Sequence, residues 1–211
     1  TYFEQILAAD PKDDRVRFFL AESLSDLDRL EEAEQIYRAL LVKSPNEPDY
    51  LTSFGLNLLA QRKYDDAAAA FKTLLEQNGL PSGIRNMGET QLAAIEHFRG
   101  NYDVALERAL AVLQKSLQLN TQAMNIALDV YRRKKDFASG SALIERAIKE
   151  YGTDPFLGAR QVEFLVRAEK GKEAETVAAA QVKSGRRGAI AIAEAYMQLE
   201  KYDRGIAILE T

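Results

Sequence analysis

The sequence predicts an all-α fold, a solenoid of antiparallel helix pairs, and three observations carry the prediction. First, one helix-turn-helix unit is written at Lys12 to Pro45, with landmarks Leu20-Ala21, Leu24, Leu30, Ala33, Tyr37 and Pro45. The next 34 residues repeat it as Phe54-Gly55, Leu58, Tyr64, Ala67, Phe71 and Asn78-Gly79. A period of that size signals stacked helical units that share a continuous core, not one globular core. Second, a small residue recurs at Ala33, Ala67, Ala105, Gly140, Ala174 and Gly205, each three residues after a turn mark at Leu30, Tyr64, Tyr102, Phe137, Gly171 or Tyr202. Small side chains let two helices approach closely. Third, ten residues before each mark stands Leu20, Phe54, Leu92, Ala127, Gln161 or Ile192, all but Gln161 apolar.

Taken in order, Tyr2 to Ala9 reads as the second helix of a unit whose first helix is missing, because Phe3 and Pro11 match Tyr37 and Pro45. The chain begins at Thr1, in mid-repeat, and is expected to be a fragment of a longer protein. A single solenoid over 1–211 is expected, with the edge helix at 2–9 and repeats at about 12–45, 46–79, 84–119, 120–153, 154–185 and 186–211. Helices are expected near 13–26, 30–43, 47–61, 64–77, 86–98, 102–115, 121–134, 137–150, 155–169, 171–183, 187–199 and 202–210. No strand is needed. The small residues lie 34, 38, 35, 34 and 31 residues apart. The extra residues fall in Gln77 to Arg85, where Gly79, Pro81 and Gly83 are expected to break both neighbouring helices, and the shortened joint lies near Ser184 to Gly188. Asp10-Pro11, Ser44-Pro45, Asn120-Thr121 and Asp154-Pro155 supply caps and a proline at a helix start. Glu31, Asp65, Asp103, Asp136 and Asp203 open second helices, where the positive end of the helix dipole favours an acid. Tyr202 to Thr211 opens a last second helix, leaving Ile206 and Leu209 uncovered.

Composition narrows the function. With 28 Lys and Arg against 32 Asp and Glu, the net charge of −4 and the interspersed signs offer the phosphate backbone no basic field, so nucleic acid is not expected as a partner. No apolar run approaches the roughly 20 residues of a membrane span, so direct membrane insertion is not expected. Zero cysteines remove disulfides, thiolate metal sites and cysteine nucleophiles, but leave cytoplasm and periplasm equally open. His97 is the only histidine, which leaves no histidine pair for a metal and no triad for a serine. The glycines at 79, 83, 185 and 188 follow no strand and precede no Gly-Lys-Ser/Thr, so they form no phosphate loop. Arg132-Arg133-Lys134-Lys135 reads as a solvated helix end, and Arg186-Arg187 as a flexible basic loop. No catalytic residue, metal or cofactor is expected, and the chain is not read as an enzyme.

The repeat pattern resembles the tetratricopeptide repeat (TPR) family, whose unit pairs a large and a small apolar residue on its first helix, an aromatic at the turn, a small residue on the second helix and a terminal proline. Units 12–45 and 46–79 match well, and the unit around Tyr102 and Ala105 matches in its second helix. Those beginning near Thr121, Pro155 and Arg186 are degenerate, with Gly140 and Gly205 in place of alanine and Gln161 in place of leucine, and no unit has the tryptophan many members carry. The resemblance implies a right-handed superhelix whose first helices line a concave groove that holds a protein or peptide. On that geometry the groove residues are Arg15, Phe18, Glu22 and Ser25, then Asp49, Thr52, Leu56 and Leu59, then Thr90, Ala94 and His97. They continue as Asn125, Asp129 and Arg132, then Phe156, Arg160 and Glu163, then Arg187, Ile190 and Glu194. The lysine and asparagine clamp by which some members hold C-terminal carboxylates is absent, since its positions carry Phe18, Glu22 and Ser53. The expected function is a non-catalytic scaffold with apolar anchors such as Phe18, Leu56 and Leu59. The alternatives are a homodimer or assembly module joined through exposed terminal helices, and the regulatory arm of a larger enzyme. The resemblance also implies a bacterial protein.

Overall fold

The structure, a computed structural model, describes residues 13–115, 118 and 120–210, and the expected edge helix at 2–9 lies outside them. Twelve α-helices and no strand make up the described residues. The chain divides between Lys115 and Ser116 into two compact units. In the first, α1 (Asp14–Asp26) pairs with α2 (Leu30–Lys43), α3 (Pro48–Ala60) with α4 (Tyr64–Leu75), and α5 (Ser82–Phe98) with α6 (Tyr102–Lys115). In the second, α7 (Thr121–Arg133) pairs with α8 (Phe137–Tyr151), α9 (Pro155–Arg167) with α10 (Gly171–Lys183), and α11 (Arg186–Gln198) with α12 (Tyr202–Leu209). Odd-numbered helices are the first of each pair. Each second helix packs on its own partner and, within its unit, on the first helix that follows: α2 on α1 and α3, α4 on α3 and α5, α8 on α7 and α9, α10 on α9 and α11. That is the helix-pair stacking of an α-solenoid.

Every pair reverses in the same way. The second residue before each turn mark has positive φ: Asp28, Arg62, Gly100, Lys135, Glu169 and Glu200. The amide that follows each one donates to the carbonyl five residues back, as in Arg29 to Leu24, Lys63 to Leu58 and Asp136 to Tyr131, at 2.8 to 2.9 Å. This is a left-handed C-terminal cap that closes the orphan carbonyls of the first helix. Only Gly100 meets the left-handed conformation without a Cβ penalty. The second helix then starts at once, and Asp136 caps α8 by accepting from the Ser139 amide at 3.1 Å.

The small residue after each turn is buried in every pair. Ala33, Ala67, Ala105 and Ala174 have no exposed surface. Glycine replaces alanine at 140 because a Cβ there would lie 2.0 Å from Phe164 Cε1 on α9. That ring is itself fully buried. The two units have separate apolar centres, Tyr37, Phe54, Leu58, Phe71 and Leu74 in the first and Val162, Leu165, Ile192 and Tyr196 in the second. Burying a side chain the size of Phe71 contributes roughly 1.5–3 kcal/mol. In the first unit a polar pin reinforces this packing. Glu34 on α2 accepts from Lys63 Nζ at 2.7 Å, Gln61 Nε2 at 2.9 Å and Arg38 Nε at 2.9 Å. Burial pushes the Glu34 carboxyl up, but these three donors outweigh it and hold it down at about 2. Its contribution to stability is therefore complete above the ordinary carboxylate value and is lost as pH falls toward that figure.

The structure corrects three expectations. The first is that α5 begins at Ser82, so Gly83 lies inside the helix and does not break it. Arg85 makes this possible by donating from Nη1 to the Leu75 carbonyl and from Nη2 to that of Gln77, which closes the end of α4 and folds the loop back. The second is that Ser44 ends α2, and it is Pro48, not Pro45, that opens a helix; Asn120 and Asp154 do cap α7 and α9. The third is that Arg186 and Arg187 form the first turn of α11, not a basic loop. The joint before them is only Ser184-Gly185, and it presses Gly188 onto α10, where a Cβ would lie 2.1 Å from the Gln181 carbonyl oxygen.

Two opposite substitutions test these constraints. Lys135→Gly relieves the left-handed residue and is expected to stabilise the chain by up to about 1 kcal/mol. Gly188→Ala drives a methyl into backbone and is expected to destabilise by about 1–3 kcal/mol. Urea midpoints of the two variants on either side of the parent check both signs.

Candidate partner-binding faces

The first-helix face of the first unit is built by α1 and α3 lying side by side. Ser53 Oγ donates to Glu22 Oε1 at 3.3 Å and Asn57 Nδ2 to Ser25 Oγ at 3.0 Å, across the two helices. Asn57, buried, also donates to the Leu30 carbonyl at 3.2 Å and accepts from Gln61 at 2.8 Å. These bonds hold the polar floor in one arrangement. Above it Arg15 is exposed, Thr52 is half-buried, and Leu56 keeps 42% of its surface open. Phe18 and Leu59 are half-buried and pack against the core, the Phe18 ring lying 5.1 Å from that of Tyr50 and 6.1 Å from that of Tyr37. Phe18 is therefore more wall than free anchor. His97 is half-buried and meets Tyr102 edge-on at 5.5 Å.

Thr90 departs from the expected groove position. It is 2% exposed and its hydroxyl donates to the Asn86 carbonyl at 2.7 Å. Ala94, at 7%, is buried too. Both lie on the stripe of α5 that faces its neighbours, so neither presents itself to a ligand.

In the second unit a charged cluster dominates the corresponding face. Glu163 is 4% exposed, so it is an interior group and not a groove contact. Its two oxygens accept from Arg132 Nε at 2.7 Å and Nη2 at 3.2 Å, from Arg160 Nη1 at 3.1 Å and from Arg167 Nε at 3.2 Å. Arg132 also bonds Asp129 Oδ1 at 2.9 Å, and Asp129 accepts from Arg133 as well. Asn125 on α7 is exposed. Burial pushes the Glu163 carboxyl up, but the hydrogen bonds and charges of Arg132 and Arg160 outweigh it and hold it below the ordinary carboxylate range.

Beside this cluster, α9 and α11 enclose a cleft of about 290 Å³. Phe156, Ala159, Ala191 and Ala195 give it an apolar lining, and Arg160, Glu194 and Gln198 supply polar groups. The Arg160 guanidinium lies over the Phe156 ring, 5.5 Å from its centroid. Spacing had placed Phe156, Arg160 and Glu194 on this face. It missed Arg167 and Gln198, although both fall inside the expected helices 155–169 and 187–199, and carrying the face one turn further, at 156, 160, 163 and 167 and at 191, 194 and 198, would have found them. Among the described residues no group of three or more His, Asp or Glu could hold a metal ion, and no helix is long and apolar enough to cross a membrane.

Glu163→Gln leaves three guanidiniums without their shared carboxylate and is expected to destabilise the chain by about 2–3 kcal/mol at neutral pH. Because the Glu163 carboxyl is held low, the parent keeps this contribution above the ordinary carboxylate range and loses it as pH falls below it. Urea midpoints at pH 7 and pH 3 should therefore converge for parent and variant at the lower pH.

Tetratricopeptide repeat profiles match residues 1–52 and 52–85. No curated protein matches the sequence. Among solved structures, a tetratricopeptide repeat protein from Parabacteroides merdae ATCC 43184 superposes with a TM-score of 0.67 at 13% identity, covering 99% of this chain and 82% of that one. PilW, a widely conserved type IV pilus biogenesis factor, superposes with a TM-score of 0.65 at 15% identity, covering 88% of this chain and 86% of its own. YrrB, a TPR protein with an unusual peptide-binding site, does so with a TM-score of 0.59 at 12% identity, covering 84% and 89%. At such identities the likeness shows the fold alone, and the profiles mark residues 1–85 of this chain as tetratricopeptide repeats.

Proposed function

We propose that the chain is a protein-interaction scaffold that takes a peptide or protein segment on its first-helix faces. The observation that carries this reading is the α9–α11 cleft, where alanines leave room beside Phe156 and polar groups stand at the rim. Such a site combines an apolar seat with a few oriented polar contacts, which is how a peptide gains both affinity and register. The exposed Leu56 gives the first unit a comparable, smaller anchor. YrrB is known by its peptide-binding site, and the shared fold is consistent with this use.

A random peptide library displayed on phage and selected on the whole chain tests the reading. Selected peptides, resynthesised and measured by fluorescence polarisation, should lose about tenfold or more in affinity with Phe156→Ala or Leu56→Asp. They should be unaffected by Val42→Asp on α2, where Val42 is 84% exposed. Loss on Val42→Asp with no effect of the other two would move the site off the first helices.

A second reading, self-association, is favoured by Ile206 and Leu209, which are 48% and 53% exposed, Leu209 lining a cavity of about 660 Å³ with Val182, Ala189, Ile190 and Ile208. Light scattering across a concentration series should then show a dimer that Ile206→Asp with Leu209→Asp returns to monomer. A parent that stays monomeric at high concentration removes this reading.

A further inference from the structure

The two units carry charge of opposite sign. Residues 1–115 hold 13 Lys and Arg against 19 Asp and Glu, whereas residues 116–211 hold 15 against 13. In the second unit the positive excess is gathered on the first helices, where Arg132, Arg133, Arg160, Arg167, Arg186 and Arg187 stand against Asp129, Glu163 and Glu194. The buried Glu163 balances one charge of the three guanidiniums it binds, and its oxygens are already filled by four donors. Its role is to position these arginines, since a buried carboxylate fixes long side chains that would otherwise sample many rotamers.

Arg160 is the member that meets the cleft. It spends one N–H on Glu163, lies over the Phe156 ring, and keeps 27% of its side chain exposed. A guanidinium offers five N–H donors in a plane, suited to a carboxylate held by two parallel bonds. Phe156, Ala191 and Ala195 form an apolar surface next to it. We propose that this cleft takes an acidic peptide segment, one carboxylate on Arg160 and a neighbouring apolar side chain against Phe156, Ala191 and Ala195. The proposal rests on the partner-binding reading of the first-helix face and adds the chemistry of the partner. A peptide fits better than a nucleic acid, because the exposed Glu194 interrupts the basic face and would oppose the closely spaced phosphates of an extended polyanion.

Three labelled heptapeptides test it on the whole chain by fluorescence polarisation at low salt: Ser-Glu-Glu-Phe-Glu-Glu-Ser, its glutamine counterpart and its lysine counterpart, with oligo-dT of 12 nucleotides as a fourth probe. The acidic peptide should bind at least about tenfold tighter than either counterpart and weaken as salt rises. Arg160→Gln should erase that preference, while Glu194→Gln, which removes a carboxylate from the cleft, should strengthen acidic binding about threefold. Both residues are partly or fully exposed, and circular dichroism verifies that the variants stay folded. Equal or tighter binding of the glutamine or lysine peptide, sensitive to Phe156→Ala, overturns the acidic preference and leaves the broader reading standing. Tighter binding of oligo-dT overturns it in favour of nucleic acid. Binding by none of the four also overturns it, and the phage-selected peptides then decide the broader reading independently.

Discussion

The close approach of helices at one small residue per repeat is the constraint on which everything else in this structure rests. Ala33, Ala67, Ala105 and Ala174 are wholly buried, and Gly140 and Gly205 take the same place. Where the opposing side chain is the Phe164 ring, the small residue is glycine, and its missing Cβ leaves the ring its room. Close packing leaves space at this contact for one large group, not two. Once that spacing is set, the first helices of a unit are held side by side and their outward positions become one face.

The reversal between the two helices of a pair is equally uniform, although its sequence is not. Asp28, Arg62, Lys135, Glu169 and Glu200 all adopt the left-handed conformation that Gly100 adopts freely. The cap bond from the next amide, at 2.8 to 2.9 Å in all six pairs, and the tertiary packing on both sides outweigh the local cost. Charged residues serve there because the position is exposed to water on the outside of the turn.

The polar networks of the two units do different work. Glu34 ties α2 to the end of α3 and the turn after it, which reinforces packing between repeats. Glu163 ties Arg132 of α7 to Arg160 and Arg167 of α9, and so it both joins two first helices and lays out cations along their shared face. Burial opposes ionisation at each carboxylate, and in each case the surrounding donors prevail. A scaffold can in this way hold charge in a fixed pattern on a surface whose side chains are otherwise free to rotate.

Much of this was legible in the residues alone. The period, the turn marks and the small residues placed all twelve helices, most within two residues of their ends, because apolar spacing and caps are local signals. The start of α5 was not legible, since Gly79, Pro81 and Gly83 read as breakers until Arg85 is seen reaching back to the Leu75 and Gln77 carbonyls. On the faces, Arg160, Phe156 and Leu56 keep exposed surface at positions that spacing turns outward, whereas Thr90, Ala94 and Glu163 were placed on the surface and proved buried. Their sequence positions fit either side of a helix, and only the neighbouring helix decides which side is covered. The sequence by itself determined the repeat and the helix pairs. The tertiary structure decided which arginines share Glu163 and that a cleft opens beside Phe156, because both depend on contacts between helices some thirty residues apart, which no local pattern records.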